Sequence, residues 1–199
     1  QRARHDLLLQ QIVDYDIGAL TNVGQVREVN EDHLFAMNYT SFFQEARSQE
    51  DGSVAAIGVA DGVGGQAAGD VASAAAVEAI AEIADRLGAT AHAHQLPDAR
   101  AWVIEAAQAA NSAVYREREA AGNDMACTLV LALLVGRMAT IINVGDSRAY
   151  LLGERRIRQV TADHSLVERL VAIGHLTRED ARHHPQKNVI YRVVGHEPS

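Results

Sequence analysis

Residues 54–65 read VAAIGVADGVGG. The run from Val54 to Ala60 is small, apolar and β-branched, which suits a buried strand. Asp61-Gly62-Val63-Gly64-Gly65 then breaks it abruptly, so a carboxylate emerges where the strand ends. Glycine at position 62 leaves its carbonyl open to close approach by an ion. Taken alone, the same stretch reads better as an ordinary Asp-Gly turn.

Working outward, the period becomes helical from Gln66. Val77, Ile80, Ile83 and Leu87 share one face, Glu78, Glu82 and Asp85 lie on others, and Gly88 is a natural stop. Ala91 to Leu96 reads as a linker. Asp98, after Pro97, should cap a second helix whose stripe is Val103, Ala107, Ala110 and Val114 and which Gly122 ends. Trp102 reads as core packing. Thr128 to Val135 and Met138 to Val144 flank Gly136-Arg137 as a hairpin, and Ala149 to Leu152 and Ile157 to Val160 flank Gly153-Glu154 likewise. Ser165 to Ile173 and Thr177 to Arg182 predict short helices. Upstream, Ile12 to Ala19 and His33 to Met37 predict strands, with Phe42 to Gly52 as a connection. Strands, two long helices, a strand meander and short helices make an α+β fold.

The chain has 199 residues, 48% of them hydrophobic and 22% charged, which suits one globular domain with a sizeable core. A net charge of -8 with no basic run argues against a nucleic-acid partner. Lys187 is the only lysine. The longest apolar stretch, Leu129 to Val135, is strand-sized, so no membrane span is expected. Cys127 is the only cysteine, which excludes an intrachain disulfide or a cysteine-based zinc site and fits a reducing cytoplasm. The start, Gln1 to Asp6, has neither an initiator Met nor an apolar signal core. The reading therefore expects a piece of a longer product, with residues 1–11 a tail and 12–199 the domain.

Acidic clusters stand at three breaks in regular structure: Arg27-Glu28-Val29-Asn30-Glu31-Asp32, Asp61-Gly62, and Gly145-Asp146-Ser147-Arg148. Each alone is weak, since carboxylates on turns are usually just solvated. Their order is more specific. GQVREVNED (24–32), VADGVGGQAAGDVAS (59–73), MACTLV (125–130), NVGDSRAYLL (143–152), TADHSLVERLVAIGHLT (161–177) and HHPQKNVIYRVVG (183–195) follow one another along the chain. Together they resemble the PPM family of metal-dependent protein serine/threonine phosphatases, also called protein phosphatase 2C, and its bacterial members in particular.

That resemblance implies a four-layer αββα sandwich of two antiparallel sheets, with two Mn²⁺ or Mg²⁺ ions between them. By position, Asp61 would bridge both ions and the Gly62 carbonyl would bind one. Glu31 and Asp32 would bind or orient metal waters, Asp146 would serve a third, weaker site, and Arg27 would grip the substrate phosphate. The implied reaction is hydrolysis of phosphoserine or phosphothreonine in a phosphoprotein by a metal-activated water, opposing a Ser/Thr kinase. Oxygen donors suit both cations, and a guanidinium grips phosphate bidentately. Cys127 is then a small buried residue rather than a nucleophile.

Two departures qualify the expectation. Val63 stands where several family members place a histidine acid, leaving water or a histidine such as His164, His183 or His184. The family also continues with a strand ending in Ser-Asp-Gly and a later Asp-Asn pair, whereas only His196-Glu197-Pro198-Ser199 follow Gly195 here. The chain as given is therefore expected to be weak or inactive by itself. It could also dimerise through an open sheet edge, with Gln1 to Gln11 displaced into the contact. A catalytically inactive module that binds phosphoproteins or regulates a partner is the alternative.

Overall fold

A computed structural model describes residues 15–25, 28–40, 53–64, 68–92 and 98–198. Strands β1 (Asp32–Thr40) and β2 (Ser53–Val63) pair antiparallel, and β2 pairs on its other side with β4 (Leu129–Val135). β4 continues into β5 (Met138–Val144), and the two-residue strand β3 (Ala126–Cys127) extends the far end of β2. A second antiparallel sheet is the hairpin β6 (Tyr150–Gly153) and β7 (Arg156–Gln159). Helices α1 (Ala68–His92) and α2 (Ala99–Ala121) precede β3, while α3 (Leu166–Ala172) and α4 (Arg178–His183) follow β7. This is the expected α+β arrangement of two antiparallel sheets with helices. Among the described residues, no helix is long and apolar enough to cross a membrane.

The core lies between the larger sheet and the two long helices. Val54, Ala56, Leu129, Leu131 and Leu133 point from the sheet into Ile80, Ala84, Leu87, Val103, Ala110 and Val114. Burying a Leu or Ile side chain contributes about 1.5–3 kcal/mol, so this layer dominates stability. The alanines along both helices let the backbones approach the sheet closely. Trp102 packs into this layer, as its sequence context suggested. Asp98 caps α2 by accepting from the backbone N–H groups of Arg100 and Ala101 at 3.0 Å, and Gly122 ends it at φ +61°.

Several boundaries differ from the sequence reading. β2 does not stop at Ala60; it runs on through Val63 because Gly62 and Val63 pair with Cys127 and Ala126. Nor is it buried throughout, since Ile57 (37% exposed) and Val59 (39%) face away from the helices. α1 continues past Gly88 and through Ala91 and His92, because a lone helical glycine costs only about 1 kcal/mol. The turn between β6 and β7 is Glu154-Arg155, with Gly153 still paired to Arg156. Residues 15–23 form no strand; they are tied by side chains instead. The Tyr15 hydroxyl donates to the Gly136 carbonyl, and Asn38 donates from Nδ2 to the Tyr15 carbonyl at 3.1 Å. The expected tail (1–11), the connection at 42–52 and the rest of the expected linker (93–96) lie outside the described residues.

Candidate metal and phosphate site

The site begins with strand register. Asp32 lies directly opposite Asp61 across β1 and β2, and the Gly62 N–H donates to the Glu31 carbonyl at 3.1 Å. Opposed residues in an antiparallel pair project to the same face. Asp32 and Asp61 therefore share the face turned away from α1 and α2, with Glu31 and Gly62 next to them. Residues separated by thirty positions in the chain meet at one end of the sheet.

Glycine holds this corner together. A Cβ built on Gly62 would sit 2.2 Å from the Gly69 carbonyl oxygen, and one on Gly69 would sit 2.9 Å from a Glu31 carboxylate oxygen. The end of β2, the first turn of α1 and the Glu31 side chain thus interlock with no space for a methyl group. One turn further along α1, the buried Ser73 hydroxyl donates to the Glu31 carbonyl at 2.6 Å, with His33 Nδ1 3.0 Å away. These contacts fix the Glu31 backbone from two sides.

Thr128 connects the second and third acidic motifs. Its N–H donates to the Asp61 carbonyl at 2.8 Å, and its Oγ1 accepts from the Asp61 N–H at 3.2 Å. The same Oγ1 lies 2.6 Å from the Ser147 hydroxyl. Gly145 sits at φ +101° with its would-be Cβ 2.7 Å from Thr128 Cγ2, so this turn can press against Thr128 only as glycine. Thr128→Val keeps the shape but removes the hydroxyl. We expect it to cost about 1–3 kcal/mol in chemical denaturation, with Thr128→Ser recovering most of the loss.

His164 clamps the far side of the Asp146 turn. Its N–H donates to the Gly145 carbonyl at 2.8 Å, and its Nδ1 accepts from the Gly145 N–H at 3.2 Å. That geometry requires a neutral ring with the proton on Nε2. Partial burial lowers the His164 pKa, and nearby Arg192 lowers it further against the opposing pull of Asp163. A lowered folded pKa means the unfolded chain binds the proton first. The contribution is full above the ordinary imidazole value of 6.5 and is lost as pH falls from there through the folded value. Denaturation at pH 7.5 and 5.5 should show a larger stability loss in the wild type than in His164→Gln.

Glu31, Asp61, Gly62 and Asp146 all line one open cavity of about 720 Å³, together with Glu28, Thr128 and Asn188. Asp32 does not line it. Although in register with Asp61, it faces an adjoining groove of about 380 Å³ that runs over Leu34, Ile57 and Val59. Arg27, the expected phosphate grip, lies outside the described residues. No described histidine lines the cavity. His183 instead approaches Glu179 at 3.4 Å, and His184 Nδ1 accepts from the Gln186 N–H at 3.1 Å. Burial, then the charge of Asp61, pushes the Cys127 thiol up to about 12, so it is no nucleophile.

The donor set is all oxygen, carboxylates plus the Gly62 backbone carbonyl, which fits a hard divalent cation. Among the described residues no three Asp, Glu, His or Cys groups converge into a tight cluster. A wide cavity with separated carboxylates matches ions that keep several of their waters. Sequence reading included Glu28, Gly69, Ser73, Thr128 and Asn188 in its motifs but gave none of them a role. Gly69 and Ser73 carried a usable signal, since their four-residue spacing puts both on one face of α1.

The chain is similar in sequence and fold to known proteins. A sequence model described as Protein phosphatase 2C matches residues 41–192. Serine/threonine phosphatase stp of Listeria welshimeri is 37% identical over 177 residues, covering 88% of this chain and 65% of that protein. The chain thus spans just under two thirds of that relative's length. Serine/threonine protein phosphatase PstP of Mycobacterium tuberculosis is 34% identical over 182 residues, covering 90% of this chain and 31% of that protein. A crystal structure of Mycobacterium tuberculosis PstP/Ppp superposes with a TM-score of 0.69 at 33% identity, over 88% of this chain and 66% of that one. The PstP catalytic domain in complex with two manganese ions superposes at 0.66 with 32% identity, over 87% and 64%. With the family sequence model covering most of the chain and the same fold beneath it, this chain belongs to the protein phosphatase 2C family.

Proposed function

We propose that the protein containing this chain removes phosphate from phosphoserine and phosphothreonine in proteins, using divalent cations held at the end of β2. The observation that carries this reading is the meeting of Glu31, Asp61, Gly62 and Asp146 around one cavity. Relatives named serine/threonine phosphatases, one of them solved with two manganese ions, support it. Asp61 and the Gly62 carbonyl would hold the ions, and Glu31 would accept hydrogen bonds from their waters. Asp32 would reach those waters only from the groove opposite Asp61, and Asp146 would serve a further, weaker site. When bound, Mn²⁺ or Mg²⁺ supplies Lewis acidity and a nucleophile that survives at neutral pH.

The remaining work falls to the chain itself. Gly62, Gly69 and Ser73 keep Glu31 in place; Thr128 holds the backbone of Asp61; His164 holds the turn that presents Asp146. Arg27 would bind the phosphate oxygens. A Ser/Thr kinase would supply the substrate phosphoproteins. An inactive binding module gains nothing from these donors, and no observation favours it. The test is phosphate release from phosphoserine and phosphothreonine peptides by the longest natural polypeptide that contains this chain. Release should require Mn²⁺ or Mg²⁺ and fall to background in excess chelator. Undiminished release in chelator would overturn the proposal.

A further inference from the structure

A second polar cavity, of about 670 Å³, opens beside the first, and Asp146 and Asn188 line both. Its walls come from the β6–β7 hairpin and from α3, α4 and the segment after them. The charges around it are uneven. Asp163 is already satisfied: Arg148 Nε donates to both its oxygens at 2.9 Å, and Gln159 Nε2 donates at 3.0 Å. Arg178 faces Glu168 at 3.3 Å. Among the described residues Arg182 pairs with Glu179 alone, in an exposed contact of 3.3 Å on its own helix, and such contacts are worth little. Lys187, the chain's only lysine, has no ion-pair partner among the described residues and adjoins Asn188, which lines both cavities. Two weakly engaged cations therefore stand beside the candidate phosphate site of a chain whose net charge is -8.

We propose that this cavity takes the polypeptide flanking the phosphorylated residue and selects an acidic side chain there through Arg182 and Lys187. This rests on the phosphatase reading for the neighbouring cavity. An extended peptide anchored by its phosphate must leave the site along some wall, and this cavity shares two residues with it. A carboxylate placed there displaces only the weak Arg182–Glu179 contact and meets an unpaired ammonium. A basic side chain meets like charges, which gives discrimination in both directions.

The experiment compares two phosphoserine peptides that differ only in Glu versus Gln at the flanking positions, with an aryl phosphate as a substrate that has no flank. The polypeptide is the same one used for the activity test. Expected is about a fivefold higher kcat/KM for the Glu peptide, carried mainly by KM. Arg182→Ala/Lys187→Ala should abolish that difference and leave aryl phosphate turnover unchanged. Equal kcat/KM for both peptides, or a preference that survives the double substitution, would overturn the proposal. Fluorescence anisotropy decides the matter separately from catalysis, using labelled peptides of the same two sequences with the phosphate retained and chelator present. Tighter binding of the Glu peptide that disappears in the double variant supports the cavity even if no turnover is found. Identical binding of both peptides rejects it.

Discussion

Asp61→Asn is expected to lower divalent-dependent phosphopeptide turnover at least about a thousandfold in the longest natural polypeptide containing this chain. The substitution keeps size and shape but removes the negative charge that a shared ligand would supply to two cations. Folding should change little. Asn is close to isosteric with Asp, and the backbone bonds of Asp61 to Thr128 and across the β1 ladder persist in the variant. Loss of turnover should therefore accompany a nearly unchanged thermal midpoint without metal, and a loss of the midpoint rise that Mn²⁺ gives the wild type. Phosphate release and thermal unfolding, each with and without Mn²⁺, check both halves. A variant keeping a tenth of wild-type turnover would place the reaction elsewhere.

The second large effect is on folding. Gly62→Ala puts a methyl group 2.2 Å from the Gly69 carbonyl oxygen, and both partners are backbone. Neither can rotate away, so the end of β2 and the first turn of α1 must separate. We expect a loss of about 3 kcal/mol or more, which in a domain of this size lowers the thermal midpoint by roughly 6–12 °C. Gly69→Ala should cost less, because its closest approaches, to a Glu31 carboxylate oxygen and to the Gly62 backbone carbon, are both 2.9 Å rather than 2.2 Å. Glu31 would then leave its place, so Gly69→Ala should impair metal binding more than its stability loss suggests. Thermal unfolding beside Mn²⁺ titration of both variants separates the two effects.

Where local chemistry decides structure, the sequence was a sufficient guide. Asp98 and Gly122 announced both ends of α2, and Gly136, at φ +53°, announced the β4–β5 hairpin. The order of predicted elements also gave the α+β class, and the ordered motifs brought out Glu31, Asp61, Gly62 and Asp146, which line one cavity. What escaped was long-range. Gly62 and Val63 look like a strand terminator until Cys127 and Ala126 pair with them, with both long helices between the partners in sequence. Thr128 looks like any strand threonine until Asp61 and Ser147 are found on either side of its hydroxyl. Asp32 matched its motif, yet it faces the adjoining groove rather than the shared cavity, a distinction that adjacency in sequence to Glu31 cannot express. Periodicity also failed at Gly88, because a buried helix face outweighs one glycine.

The proposed activity requires the end of β2 to hold divalent cations. X-ray data at the manganese absorption edge, from crystals of the longest natural polypeptide grown with Mn²⁺, test it most directly. Anomalous density is expected within direct bonding distance of both an Asp61 carboxylate oxygen and the Gly62 carbonyl oxygen. Manganese density found only elsewhere, with the Asp61 carboxylate bound solely to protein groups, would contradict it.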